Sequence, residues 1–139
     1  MNRSGPVVVI EDDLDDQEVF ADALAELKVQ NKVIFFTNGI EALEYLRTTV
    51  DQPFIIFCDI NLPNLNGIEI RNEIFNDDYL RKKSIPFIFM TTSSDLQVVR
   101  EAYNLSIQGF FTKPLSMKDI IEDLKEILNY WSKCKHPNG

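Results

Sequence analysis

Four short segments hold the residue types that could do chemistry: Glu11-Asp12-Asp13, Asp59, Thr91-Thr92-Ser93-Ser94 and Lys113-Pro114. Each follows an apolar run: Val7–Ile10, 54–58, 87–90 and 110–111. The carboxylates, brought together, would repel one another unless a cation sat among them. Mg²⁺ suits such a set, because it takes one or two carboxylates together with water and phosphate oxygens. Asp12 and Asp59 are then candidates for direct ligands, with Glu11 acting through water. Lys113 would supply a point positive charge, and Thr91 a hydroxyl hydrogen bond to a phosphoryl oxygen. Asp59 would be the nucleophile and form an acyl phosphate. Phosphoryl transfer asks mainly for positioning and charge neutralisation, which this set offers.

The four segments meet only if the apolar runs before them are neighbouring parallel strands. The pattern along the chain alternates accordingly. Strands are expected at Val7–Ile10, Val33–Phe36, 54–58, 87–90 and 110–111. The runs are nearly unbroken in apolar residues, as in strands buried on both faces. Between them, helical spacing predicts helices over 15–27, 40–47, 68–76 and 95–104. A last helix starts after Ser116 as N-cap and places Met117, Ile120, Ile121, Leu124, Ile127, Leu128 and Trp131 on one face. One of Asp13, Asp15 and Asp16 is expected to cap the first helix and the others to favour its positive end. Five strands alternating with five helices imply an α/β, doubly wound parallel sheet covered on both faces. Its ligands lie at the C-terminal strand ends, at the topological switch point.

The bulk numbers agree with one domain. The chain has 139 residues, 45% of them hydrophobic, near the commonest domain size. A lead over 1–6, a domain over 7–131 and a flexible tail over 132–139 are expected. The net charge of −8 argues against nucleic acid as a direct ligand and favours a basic partner. The first apolar run is too short for a signal peptide or a membrane span. Cys58 and Cys134 form no Cys-x-x-Cys pair and read as free thiols of a cytoplasmic protein. His136 reads as neither ligand nor catalyst, and Arg81-Lys82-Lys83 as a solvated loop.

From Val7 to Trp131 the chain resembles a two-component response-regulator receiver domain, a bacterial phosphorelay module. The matching residues are Glu11-Asp12, Asn38-Gly39 before Glu41-Ala42-Leu43, Asp59-Ile60-Asn61-Leu62-Pro63 with Gly67, Thr91, and Lys113-Pro114. The resemblance implies a flavodoxin-like five-stranded parallel sheet of order 2-1-3-4-5. It implies that Asp59 accepts phosphate from a sensor histidine kinase or a histidine phosphotransfer protein, as a signalling acceptor rather than an enzyme with turnover. Mg²⁺ would be bound by Asp12, Asp59 and the backbone carbonyl of Asn61, with Glu11 in support. Thr91 and Lys113 would hold the phosphoryl group, and Phe110 would occupy the aromatic switch position.

Some positions depart from the family pattern. Phe110 has no hydroxyl, Thr92 is bulkier than the usual Ala or Gly, and Asn61 and Ser93 flank the site where they would tune water access. The segment 76–84 lengthens the approach to the fourth strand, as in stand-alone receivers that partner phytochrome-type kinases. The chain ends soon after its last helix, so output is expected through a protein partner, a homodimer or phosphate relay. The surface from the helix over 95–104 to the last helix, or the segment 76–84, is the expected contact.

Three other readings compete with this one. A degenerate receiver would bind partners without phosphorylation. A haloacid-dehalogenase-like phosphatase needs a second Asp two positions after the nucleophile, where this chain has Asn61. A flavodoxin-like nucleotide binder needs a phosphate loop after the first strand, where Glu11-Asp12-Asp13 would repel the phosphate.

Overall fold

The computed structural model describes residues 4–92 and 95–135. The readings made for Ser93, Ser94, His136 and the ends of the chain fall wholly or partly outside that range. Within it, five strands form one parallel sheet in the order β2-β1-β3-β4-β5. They are β1 (Val7–Ile10), β2 (Val33–Phe36), β3 (Ile55–Cys58), β4 (Phe87–Thr91) and β5 (Gly109–Thr112). The three central strands are buried at every residue, and the edge strand β2 is half-buried throughout.

Alternation of side chains along each strand divides the core in two. On one face Val8, Ile10, Ile56, Cys58, Phe87 and Phe89 pack under the helices α2 (Gly39–Thr48), α3 (Gly67–Asn76), α4 (Asp78–Lys83) and α5 (Leu96–Asn104). On the other, Val7, Val9, Ile55, Phe57, Ile88 and Met90 pack under α1 (Leu14–Glu26) and α6 (Met117–Lys133). Strand order reverses at β1, so a crevice opens between the C-terminal ends of β1 and β3. That is where Glu11, Asp12 and Asp59 emerge.

Among the described residues there are six helices, not the five expected. The extra one is α4, inside the segment 76–84 that read as a loop extension. Only Leu80 of its six residues is buried, so it shows no hydrophobic period. Its termini carry the signal instead. Asp77 caps it by accepting from the Leu80 N–H, and Arg81, Lys82 and Lys83 fill its last turn, at the negative end of the helix dipole. Arg81-Lys82-Lys83 is therefore helical, with Arg81 paired to Asp78 and Lys83 over the Tyr79 ring. Two smaller differences also appear. Thr91 is the last residue of β4 rather than the first after it, and α6 continues to Lys133, past the expected domain end at 131.

Helix α5 buries only Ala102, yet its C-terminal end is firmly held. Arg71 of α3 is 7% exposed; its Nε donates to the Leu105 carbonyl at 2.8 Å and its Nη2 to the Ser106 carbonyl at 3.0 Å. The guanidinium also lies over the Phe87 ring. Burial lowers its pKa to about 10, so the hydrogen bonds to carbonyls at the end of α5 offset a real desolvation cost. Arg71→Met is expected to lower the unfolding free energy by about 2 kcal/mol, seen as a lower urea midpoint with an unchanged slope.

Candidate functional site

Glu11 follows β1 directly, and its backbone N–H donates to the Phe36 carbonyl, prolonging the β1–β2 ladder by one residue. Its side chain is buried. The Gln17 amide holds its carbonyl at 2.6 Å, and its Oε2 accepts from the Asp13 N–H at 3.1 Å. Burial pushes the Glu11 carboxyl up to about 7, against the opposing pull of Lys113. Asp12 is exposed at the rim. Asp13 is the cap of α1, and its side chain accepts from the Asp15 and Asp16 N–H groups.

Asp59 follows β3, and its N–H donates to the Ile10 carbonyl at 3.0 Å. One carboxylate oxygen, Oδ1, accepts from the Ile60 N–H at 2.7 Å, which fixes the orientation of the group. The other, Oδ2, accepts from Lys113 Nζ at 3.1 Å. The loop after Asp59 returns tightly, because the Gly67 N–H donates to the Ile60 carbonyl. A Cβ at Gly67 would stand 2.4 Å from the Asp59 carbonyl oxygen. Asn66 then caps α3 in a reciprocal box with Glu69. Asn61 is exposed on this loop.

Thr91 is fully buried, and its carbonyl accepts from the Lys113 N–H at 2.8 Å. The end of β4 therefore sets the backbone of Lys113. The Lys113 ammonium donates to Glu11, to Asp16 at 2.9 Å and to Asp59. Burial alone would lower its pKa, but the Glu11 and Asp16 hydrogen bonds and the Asp59 charge outweigh it and raise the pKa, so the ammonium stays charged. Asp16 was not expected in this group. Its sequence reading stopped at the helix dipole, and nothing local marks a contact to a lysine 97 positions away.

Phe110 is half-buried, its ring 5.9 Å from that of Phe89 on the α5 side of the sheet. Cys58 lies directly under Asp59, fully buried, and burial raises its thiol pKa well above the ordinary value. It is too deep to act as a nucleophile.

Glu11, Asp12 and Asp59 each present a carboxylate oxygen within 4.8 Å of the other two. Hard oxygen donors gathered so closely fit a small divalent cation, and only Lys113 offsets their charge among the contacts described. The larger cavities lie elsewhere; one of about 480 Å³ is lined by Arg71, Ile74, Pro86 and Gln108.

The family model for the response regulator receiver domain matches residues 7–125. This chain belongs to that family. The receiver is 25% identical over 130 residues to the response regulator Rcp1 of Synechocystis, covering 90% of this chain and 87% of Rcp1. It is 30% identical over 125 residues to the polar-differentiation response regulator DivK of Brucella anthropi, covering 88% of this chain and 94% of DivK. In structure it is similar to the phosphorylated cyanobacterial phytochrome response regulator RcpA, with a TM-score of 0.86, 27% identity, and coverage of 96% and 98%. No described helix is long and apolar enough to cross a membrane.

Proposed function

We propose that this receiver accepts a phosphoryl group on Asp59, in a Mg²⁺-dependent reaction, from a sensor histidine kinase or histidine phosphotransfer protein in the cytoplasm. The observation that carries the reading is the state of the Asp59 carboxylate. Oδ1 is pinned by the Ile60 N–H, while Oδ2 faces the Lys113 ammonium. Oδ2 forms the new bond to phosphorus as the P–N bond to the donor imidazole breaks, and the imidazole leaves with the electron pair. Lys113 neutralises phosphoryl oxygen charge, and the Thr91 hydroxyl donates to a second oxygen. Asp12, Asp59 and the Asn61 carbonyl would hold Mg²⁺, with Glu11 in support; when bound, it neutralises the carboxylates and the incoming phosphoryl oxygens.

The output is a change of surface. Thr91 and Lys113 are joined through the β4–β5 backbone ladder, and Phe110 sits on the adjacent strand. Drawing Thr91 toward the phosphoryl group opens space for the Phe110 ring and shifts the α5–β5–α6 surface, a two-state element biased by local charge. That surface exposes Leu96 and Tyr103 on α5 and Tyr130 on α6, apolar groups suited to a protein partner or a second copy. Helix α4 is a second candidate contact. The similarity to RcpA, which is described as phosphorylated, and the near-complete coverage of Rcp1 and DivK support signalling through the receiver itself.

Acetyl phosphate and Mg²⁺ are expected to add one phosphoryl group per chain, read by intact-protein mass. EDTA is expected to reduce uptake at least about a hundredfold, because close carboxylates without a cation repel the donor. Undiminished uptake in EDTA would remove the metal from the reading.

A further inference from the structure

We infer that Asp16 is a positioning residue that restrains Lys113 and thereby limits how tightly the site holds a phosphoryl group. The inference rests on the reading of Asp59 as the phosphoacceptor. It starts from the donor count of one ammonium group. Lys113 Nζ has three N–H groups and no more. All three have carboxylate partners: Glu11, Asp16 at 2.9 Å and Asp59 at 3.1 Å. A phosphoryl oxygen can be bound only by displacing one of them.

The three partners are not equivalent. When Asp59 Oδ2 bonds to phosphorus, it becomes the bridging oxygen of an acyl phosphate and loses its charge. That frees one Lys113 donor for a phosphoryl oxygen. The Glu11 side chain is only 6% exposed, and water cannot readily replace its lysine partner. The Asp16 side chain is 45% exposed and solvated. It is therefore the partner whose loss costs little, and the one that still competes for the ammonium after phosphorylation. Its base is fixed: the Asp16 N–H donates to the Asp13 cap at 3.1 Å, on the first turn of α1. The Asp16–Lys113 bond thus ties α1 to the residue that follows β5, from the open side of the crevice.

The test uses beryllofluoride, a phosphoryl mimic, titrated into the full chain at saturating Mg²⁺. Asp16→Asn is expected to bind it about two- to fivefold more tightly than wild type, the range of a half-exposed ion pair. Asp16→Glu, which keeps the carboxylate, is expected to return to near the wild-type affinity. Asp15→Asn removes the same charge from the same exposed turn, but Asp15 makes no described contact with Lys113, so its effect is expected to be smaller. Thermal unfolding of each variant separates affinity from folding. Unchanged or weaker binding by Asp16→Asn overturns the inference, as does an equal gain from Asp15→Asn. If wild type itself takes up neither beryllofluoride nor phosphoryl, the phosphoacceptor reading falls and this inference with it. Normal wild-type uptake beside an unchanged Asp16→Asn overturns this inference alone.

Discussion

Asp59→Asn is expected to give a folded receiver that takes up no phosphoryl group from acetyl phosphate and Mg²⁺. The amide is nearly the same shape as the carboxylate, and its oxygen can still accept from the Ile60 N–H that now bonds Oδ1. The nucleophilic oxygen anion is gone, however, and an amide does not replace it. Stability should move the other way. Asp59 is one of three acidic residues whose ligand oxygens lie within 4.8 Å of each other. At an effective dielectric near 20, its repulsion from Glu11 and Asp12 together comes to about 7 kcal/mol, against about 5 kcal/mol of attraction to the Lys113 ammonium. Lys113 keeps Glu11 and Asp16 as partners when the Asp59 charge is removed. Repulsion wins, so Asp59→Asn in EDTA is expected to be more stable by about 1 kcal/mol, read by urea unfolding. Added Mg²⁺ should raise the midpoint of the variant less than that of wild type. A variant that is labelled as well as wild type would place the acceptor elsewhere.

Gly67→Ala is expected to damage both stability and the site, although Gly67 bears no functional group. A Cβ there would lie 2.4 Å from the Asp59 carbonyl oxygen, 2.8 Å from Ile60 Cα and 2.8 Å from Phe89 Cε1. Two of these are backbone atoms, which cannot rotate away. The third belongs to a buried ring. The expected loss is about 3 kcal/mol of unfolding free energy, the upper range for an overpacked core. The peptide that must shift joins Asp59 to Ile60 and supplies the N–H that fixes Oδ1. Phosphoryl uptake should therefore fall as well, even under conditions where the variant is fully folded. Gly109→Ala is the control. Its nearest contact would be 3.5 Å, an ordinary packing distance, and the change should stay within about 1 kcal/mol of wild type. Equal losses at both positions would mean that the close approach at Gly67 is not the cause.

The central strands were readable because they are buried on both faces. A strand such as Val7–Ile10 or Ile55–Cys58 has no solvent side, so its apolar run stands out from the amphipathic helices around it. From their alternation with helices, the convergence of Glu11, Asp12, Asp59, Thr91 and Lys113 at one sheet edge followed. Helix α4 escaped because a six-residue helix with one buried side chain has no period to detect. Its capping aspartate and basic last turn were present in the sequence and would have marked it. Arg71 lies beside the inward stripe of α3, and no local pattern shows that its guanidinium reaches the carbonyls at the end of α5. The same limit applies to Asp16. A carboxylate in the first turn of a helix is already explained by the helix dipole, so a second role leaves no trace until the fold brings Lys113 beside it.

The most direct measurement is the chemical location of the phosphoryl group on the wild-type chain. After incubation with acetyl phosphate and Mg²⁺, borohydride reduces an acyl phosphate to the alcohol, and peptide mass spectrometry identifies the residue that carried it. Homoserine in place of Asp59, and nowhere else, is the predicted result. Reduction at Asp12 or another carboxylate, or no reduction at all, would contradict the assignment of Asp59 as the phosphoacceptor.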